Sequence, residues 1–329
     1  MYEEYYGFTE KPFSLTPDPK YLFKSASHAS AYELLQYAIR RREGFVVITG
    51  DIGTGKTTLC RALLEQIDRR TFTALVLNPF LAEEDLLRLV LQEFGVVSRE
   101  EIKRGRLARV SKAELIETLN EFLLSLQSIG AQALLIVDEA QNLPMPVLEQ
   151  IRILSNLETE KEKLLQIILV GQSNLKDLLR RPELRQLDQR VAIRYDLKPL
   201  TAEETAAYVR HRLSVAGGGS AVTFTAKALS RVHRYTGGIP RLINLLCDRA
   251  LLSAYSTHAT RITPPLVHGA AQSLEIQRPP RSVRGWVRER LAGFAAGATL
   301  AAMLAGGAAA MWHYREYAAL LMQLVANRP

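Results

Sequence analysis

The stretch "GFVVITGDIGTGKTTLCRALL" (44–64) limits the possible folds more than any other part of the chain. The apolar, β-branched run "FVVIT" (45–49) leads into a turn containing Gly50, Gly53 and Gly55, and the turn leads into "KTTLCRALLEQI". The first run has the composition of a buried strand and the last has helical periodicity, so strand, glycine-rich loop and helix follow without a spare residue. Glycine lets the backbone curl until several N–H groups face one point, and a helix starting near Lys56 adds the positive end of its dipole. Such a concavity suits phosphate. The spacing G-x-x-x-x-G-K-T from Gly50 to Thr57, with Asp51, Ile52, Thr54 and Thr58 completing the loop, predicts a nucleotide-binding loop. Lys56 is expected to reach the β- and γ-phosphates of ATP, and Thr57 to offer its hydroxyl to Mg²⁺.

The pattern then repeats. "TALVL" (73–77), "ALLIV" (133–137), "LQIILV" (165–170) and "VAIRYDL" (191–197) read as strands, and helical periods fall near 29–44, 82–95 and 112–128. Apolar runs alternating with amphipathic helices predict an α/β fold with a parallel sheet covered on both faces. In "ALLIVDEAQ" a strand ends on two acids. Asp138 is expected to hold the Mg²⁺ shell and Glu139 to polarise the attacking water. Charge at the γ-phosphate calls for an arginine, and Arg185, Arg190 and Arg241 are the candidates. Gln172, after "IILVG", is a candidate γ-phosphate sensor.

After Pro199 the strand pattern stops. "TAEETAAYVRHRLSVAG" opens on a capping box, and three more helical patterns reach residue 275, which predicts a small all-helical domain. The expected division is an N-terminal arm (1–28), a core (29–200), a helical lid (201–275), a Pro/Arg linker (276–290), a membrane helix (291–312) and a short tail (313–329). Cys60 and Cys247 stand far apart, which argues against a disulfide framework and for a reducing compartment. The opening "MYEEYYGFTEKPF" carries acids where a signal peptide needs a basic region, so the N-terminus is expected to stay inside.

Together these elements resemble the AAA+ ATPases, with an α/β core and a helical lid, and "GGIPR" (237–241) is similar to their sensor-2 motif, which implies that Arg241 reaches the nucleotide. Within that superfamily the chain resembles the general secretion pathway protein A (ExeA/GspA) family. The resemblance rests on "YYGFTEKPFSLTPDPKYLFKSASHASAYELL" (5–35), the phosphate loop, "LLIVDEAQNL", "ILVGQSNL", "LRQLDQRV" and "TGGIPRLINLLCDRAL". It implies that Arg185 or Arg190 acts on a neighbouring subunit's nucleotide, so that the working enzyme is a homo-oligomer, a ring. It also implies a cytoplasmic ATPase that serves a type II secretion-like envelope complex through a partner subunit. Similar modules occur in pilus biogenesis, in exosortase-linked polysaccharide loci and in DNA-binding transposition regulators, and the core alone does not separate these jobs.

Composition matters most at the C-terminal end. The formal charge is +8, and the arginines at 278, 281, 284, 288 and 290 with one acid, Glu289, hold half of it. They precede Leu291–Trp312, which has no charged residue and contains ten alanines and four glycines. As a helix it would measure about 33 Å, enough for a bilayer core of about 30 Å. Trp286 and Trp312 bracket it as an interfacial belt, and Gly293 and Gly297 form a close-packing step. The arginine excess before the span predicts a single pass through the bacterial inner membrane, with the ATPase in the cytoplasm and 313–329 in the periplasm. An anionic leaflet accounts for the basic linker, so nucleic acid is not expected as a partner. The resemblance also implies an exported peptidoglycan-binding domain; with 17 residues after Trp312, direct peptidoglycan binding by this chain is not expected. Residues 316–326 have the pattern of a short amphipathic helix for a partner or the membrane face.

Overall fold

The computed structural model describes residues 2–77, 82–98, 100–101, 110–160, 162–217 and 221–276. Five strands build the central sheet: β1 (Phe45–Gly50), β2 (Thr71–Val76), β3 (Gln132–Val137), β4 (Leu165–Gly171) and β5 (Ile193–Leu197). They lie in the order β2-β3-β4-β1-β5, and every pairing is parallel. The chain leaves β1 for the far edge, returns one strand at a time through β3 and β4, and then passes β1 to add β5. The loops after β1, β3 and β4 therefore open along one edge of the sheet, where α/β folds place ligands.

Helices cover both faces. In chain order they are α1 (Tyr2–Tyr5), α2 (Ala26–Arg41), α3 (Lys56–Glu65), α4 (Glu83–Glu93), α5 (Lys112–Ser128), α6 (Met145–Leu154), α7 (Asn174–Leu179) and α8 (Arg185–Asp188). Successive strand residues point to opposite faces. Phe45, Val47, Leu135, Ile167 and Leu169 join a cluster with Leu86 and Val90 of α4, Leu115 of α5 and Leu148 of α6. Val46, Ile48, Leu134, Ile136 and Ile168 join another with Leu35 of α2 and with Leu59, Cys60 and Leu63 of α3. Burial on both faces is why the strands read as unbroken apolar runs. Cys60 and Cys247 are buried free thiols, and burial raises both out of reach of ionisation at neutral pH.

Helix α2 begins three residues before its apolar period does. Ser25 Oγ accepts from His28 N at 3.3 Å and sets the start, a cap that small polar neighbours hide from a periodicity reading.

The lid comprises α9 (Ala202–Val215), α10 (Ala226–Thr236), α11 (Pro240–Ser256) and α12 (Pro264–Ser273). It is not purely helical. A parallel ladder pairs β6 (Thr223–Phe224) with β7 (Arg261–Ile262). Strands of two residues have no period to detect, and each here leads directly into a threonine that opens the next helix.

Glu204, in the capping box of α9, serves two helices at once. Its Oε2 accepts from Thr201 N and its Oε1 from Ala26 N at the start of α2, both at 2.9 Å. The first part of the N-terminal arm lies on the lid: Tyr2, Tyr6, Phe8 and Phe13 share a cluster with Val209 and Leu213 of α9 and Ile243 of α11. Thr9 N donates to Ala216 O at 2.9 Å.

Apart from Ile276, the expected linker, membrane helix and tail lie outside the described residues. Among the described residues no helix is long and apolar enough to cross a membrane.

Gly238 joins core to lid. It has φ +79°, and a Cβ there would meet Leu200 O at 1.9 Å. Gly237 also has positive φ but open space around its Cβ position. Gly238→Ala is expected to cost about 3 kcal/mol of stability and Gly237→Ala about 1 kcal/mol, read as midpoints in denaturant unfolding. Equal costs would show that the contact with Leu200 is unimportant.

Candidate active site

The loop after β1 folds onto itself. Thr54 Oγ1 donates to Asp51 O at 2.9 Å, and Lys56 Nζ donates to Gly50 O and Asp51 O at 3.0 and 2.9 Å. Burial pushes the Lys56 ammonium below its ordinary range, against the opposing pull of the Glu139, Asp138 and Asp51 carboxylates. Thr57 Oγ1 donates to Asp138 Oδ2 at 2.5 Å across 81 positions of sequence. The other Asp138 oxygen accepts from Glu139 N at 2.8 Å. A hydroxyl and a carboxylate in contact beside a loop of backbone amides form an all-oxygen donor pair. That pair fits a magnesium ion sharing its shell with nucleotide phosphates.

Glu139 has φ 51°, a left-handed backbone that non-glycine residues adopt at a cost and that clusters at functional sites. Its Oε2 accepts from Gln141 Nε2 at 2.6 Å and from Gln172 Nε2 at 3.3 Å, and Gln141 Oε1 accepts from Gln172 N at 2.9 Å. Two amides thus aim one carboxylate. Gln172 was a candidate from sequence; Gln141 was not, although it stands two residues after Glu139 in "DEAQ".

The cleft over this loop has three walls. Residues 52–58 and Glu139 form the first, Arg241, Tyr208 and Asn244 of the lid the second, and arm residues from Ser14 to Phe23 the third. Lid and loop touch directly: Arg241 N donates to Gly53 O at 3.1 Å. A Cβ on Gly53, which has φ +79°, would stand 2.6 Å from Arg241 Cβ, so this glycine admits the lid as well as a phosphate. Arg185 and Arg190 do not line the cleft of their own chain. Arg185 is exposed on α8, and Arg190 Nη1 donates to Ser155 Oγ at 2.7 Å and Arg152 O at 3.4 Å. The structure therefore brings together the loop, Asp138, Glu139, Gln172 and Arg241, and leaves the other two arginines apart.

His28 has no signal in the sequence, where it sits among small residues in "SASHAS". It is buried, with Nε2 2.9 Å from Thr54 O and Nδ1 2.7 Å from Ser25 Oγ. Thr54 O can only accept, so Nε2 carries the proton and Nδ1 accepts from the serine hydroxyl. This imidazole braces the phosphate loop at Thr54 and itself lines the cleft. Burial holds it below its ordinary value of 6.5, with the Thr54 carbonyl and Glu204 acting weakly the other way.

The AAA domain family matches residues 39–179, which span β1, the phosphate loop and the strand that leads into Asp138 and Glu139. The chain is 45% identical over 269 residues to the general secretion pathway protein A of Aeromonas hydrophila, covering 82% of this chain and 47% of that one. The chain belongs to the general secretion pathway protein A family. It carries a P-loop AAA domain, of a family that implies nucleotide binding with a divalent metal. It spans about half the length of that relative. The fold is shared more widely. The Cdc6p of Pyrobaculum aerophilum superposes with a TM-score of 0.65 at 15% identity, covering 83% of this chain and 73% of that one. The ORC2 protein of Aeropyrum pernix gives 0.62 at 16%, covering 83% and 74%. The RuvB Holliday junction branch migration motor of Thermotoga maritima gives 0.53 at 19%, covering 77% and 70%.

The buried His28 binds fewer protons folded than unfolded. Its contribution to stability is complete above 6.5 and is lost as pH falls from there through the depressed folded value. His28→Gln keeps an N–H for Thr54 O without titrating. Between about pH 8 and about pH 5.5 the unaltered protein is expected to lose more thermal stability than this variant. Parallel losses would remove His28 as the cause.

Proposed function

We propose that this chain is a membrane-anchored ATPase that couples ATP binding and hydrolysis to assembly or positioning of a secretion complex in the cell envelope. The observation that carries the hydrolytic half is the contact of Thr57 with Asp138 beside an amide-held Glu139. In this reading the triphosphate lies along the backbone amides of residues 52–57, and Lys56 turns from the carbonyls of Gly50 and Asp51 to the β- and γ-phosphate oxygens. Magnesium, held through Thr57 and Asp138, supplies positive charge to those phosphates. Glu139 takes a proton from the attacking water while Gln141 and Gln172 hold its carboxylate in line. Gln172 also senses the γ-phosphate, and Arg241 approaches it from the lid.

Arg185 or Arg190 completes the charge from a neighbouring copy, which makes the active species a homo-oligomer, a ring. Their position outside the cleft of their own chain and the exposure of Arg185 support this arrangement.

The secretion role rests on the relationship to the Aeromonas protein. The anchor rests on the uncharged stretch Leu291–Trp312 and the arginines before it, which support a reading with the ATPase on the cytoplasmic side of the inner membrane and 313–329 in the periplasm. A partner subunit of the envelope machine then receives the work, in type II-like secretion rather than pilus or polysaccharide export.

Glu139→Gln is expected to keep ATP bound while slowing phosphate release about a hundredfold or more; turnover at the unaltered rate would remove Glu139 from the base role. The full chain is expected to float with vesicles of mixed anionic lipid in a density gradient. Recovery from the bottom fractions would end the membrane assignment.

A further inference from the structure

Arg212 of α9 is only 5% exposed, yet its hydrogen bonds go to carbonyl and hydroxyl oxygens. Its Nε donates to Pro12 O at 2.5 Å, Nη2 to Ser14 O at 3.2 Å and Nη1 to Tyr208 OH at 3.2 Å. The guanidinium lies over the Tyr21 ring, 4.2 Å from its centroid. Asn244 Nδ2 donates to the same Ser14 carbonyl at 3.2 Å, and Tyr208 OH donates to Asn244 Oδ1 at 2.8 Å. Burying a guanidinium is costly unless its donors are satisfied. The arm is already attached to the lid by Tyr6, Phe8 and Phe13, so attachment alone does not require this charge. What it adds is direction, because a planar fork fixes the carbonyls it holds.

Of the two arm residues so held, Pro12 and Ser14, Ser14 borders the cleft. Ser14, Leu15 and Thr16 line it beside Tyr208, Arg212 and Asn244 of the lid, in the same cleft as loop residues 52–58. With phosphates at Lys56, the sugar and base of a nucleotide need walls beyond the loop, and these arm and lid residues are the ones that line the rest of the cleft. Two aliphatic side chains stand exposed there, Leu15 at 47% from the arm and Ile52 at 63% from the loop, as apolar walls for a flat ring.

We propose that Arg212 is a positioning residue that sets the arm's backbone at Pro12–Ser14 and thereby shapes the nucleoside end of the cleft. The inference rests on the reading of this cleft as the nucleotide site. It separates two parts of one ligand: ATP needs the arm wall, whereas inorganic tripolyphosphate needs only the loop.

The test measures binding of each, with magnesium, to the full chain in detergent by calorimetry. Arg212→Met is expected to weaken ATP about tenfold and to leave tripolyphosphate within about twofold. Arg212→Lys, which keeps the charge but not the fork, should fall between. Equal weakening of both ligands, or no change in either, overturns the proposal. Should Arg212→Met fail to fold, Asn244→Ala removes one of the two donors to the Ser14 carbonyl and leaves the guanidinium in place. It should weaken ATP about threefold with tripolyphosphate unchanged, and an unchanged ATP affinity there overturns the proposal too. Lys56→Ala tests the underlying reading separately, since it should lose both ligands. If Lys56→Ala binds both as the unaltered chain does, the loop is not the phosphate site and the Arg212 inference falls with it.

Discussion

Parallel pairing of three neighbouring strands sets the height at which every reactive group stands. Thr49 of β1 is level with Gly171 of β4, and Val137 of β3 with Leu169 of β4. The residues that follow, Gly50, Asp138 and Gln172, therefore emerge along one edge of the sheet within about two residues of each other. A shift of one strand by a single residue would turn its apolar side chains to the wrong face. The dry layers on both sides forbid such a shift, and the contact between Thr57 and Asp138 follows from it. Core packing and site geometry are thus one constraint seen from two distances.

The parts of this arrangement that the bare sequence announced are those whose physics is local. A glycine-rich turn between a buried run and a helix has few other uses, and acids at the end of an apolar strand stand out beside it. The strands were legible because each is buried on both faces. Groups that act across the fold were hidden. His28 has small polar neighbours and becomes meaningful only when Thr54 O arrives above it. Arg212 sits in a helix with an ordinary amphipathic pattern, and its partners are carbonyls roughly two hundred positions away, which no spacing rule can reach. Gly53 looked like a phosphate-loop glycine and proved also to be the point where the lid rests. The two-residue ladder in the lid was lost for want of length.

The arm changes how the two bodies should be regarded. Its aromatic residues complete the lid's apolar cluster, while its next segment forms a wall of the cleft and reaches α3, where Arg61 Nη1 donates to Pro17 O at 2.9 Å. The polypeptide's beginning and the lid near its middle thus share one packing unit, closed over the sheet's reactive edge. Three chain segments far apart in sequence must be in register before the cleft exists, which gives the site a strict dependence on the fold as a whole.

Glu204 caps a lid helix with one oxygen and a core helix with the other, and the chain's last described residue, Ile276, packs within the lid cluster. The carboxylate sits where the two helix starts meet, and Ile276 packs on the lid side. Losing that one carboxylate would free the first turns of both helices at once, so at this point core and lid are fastened to each other through a single charge.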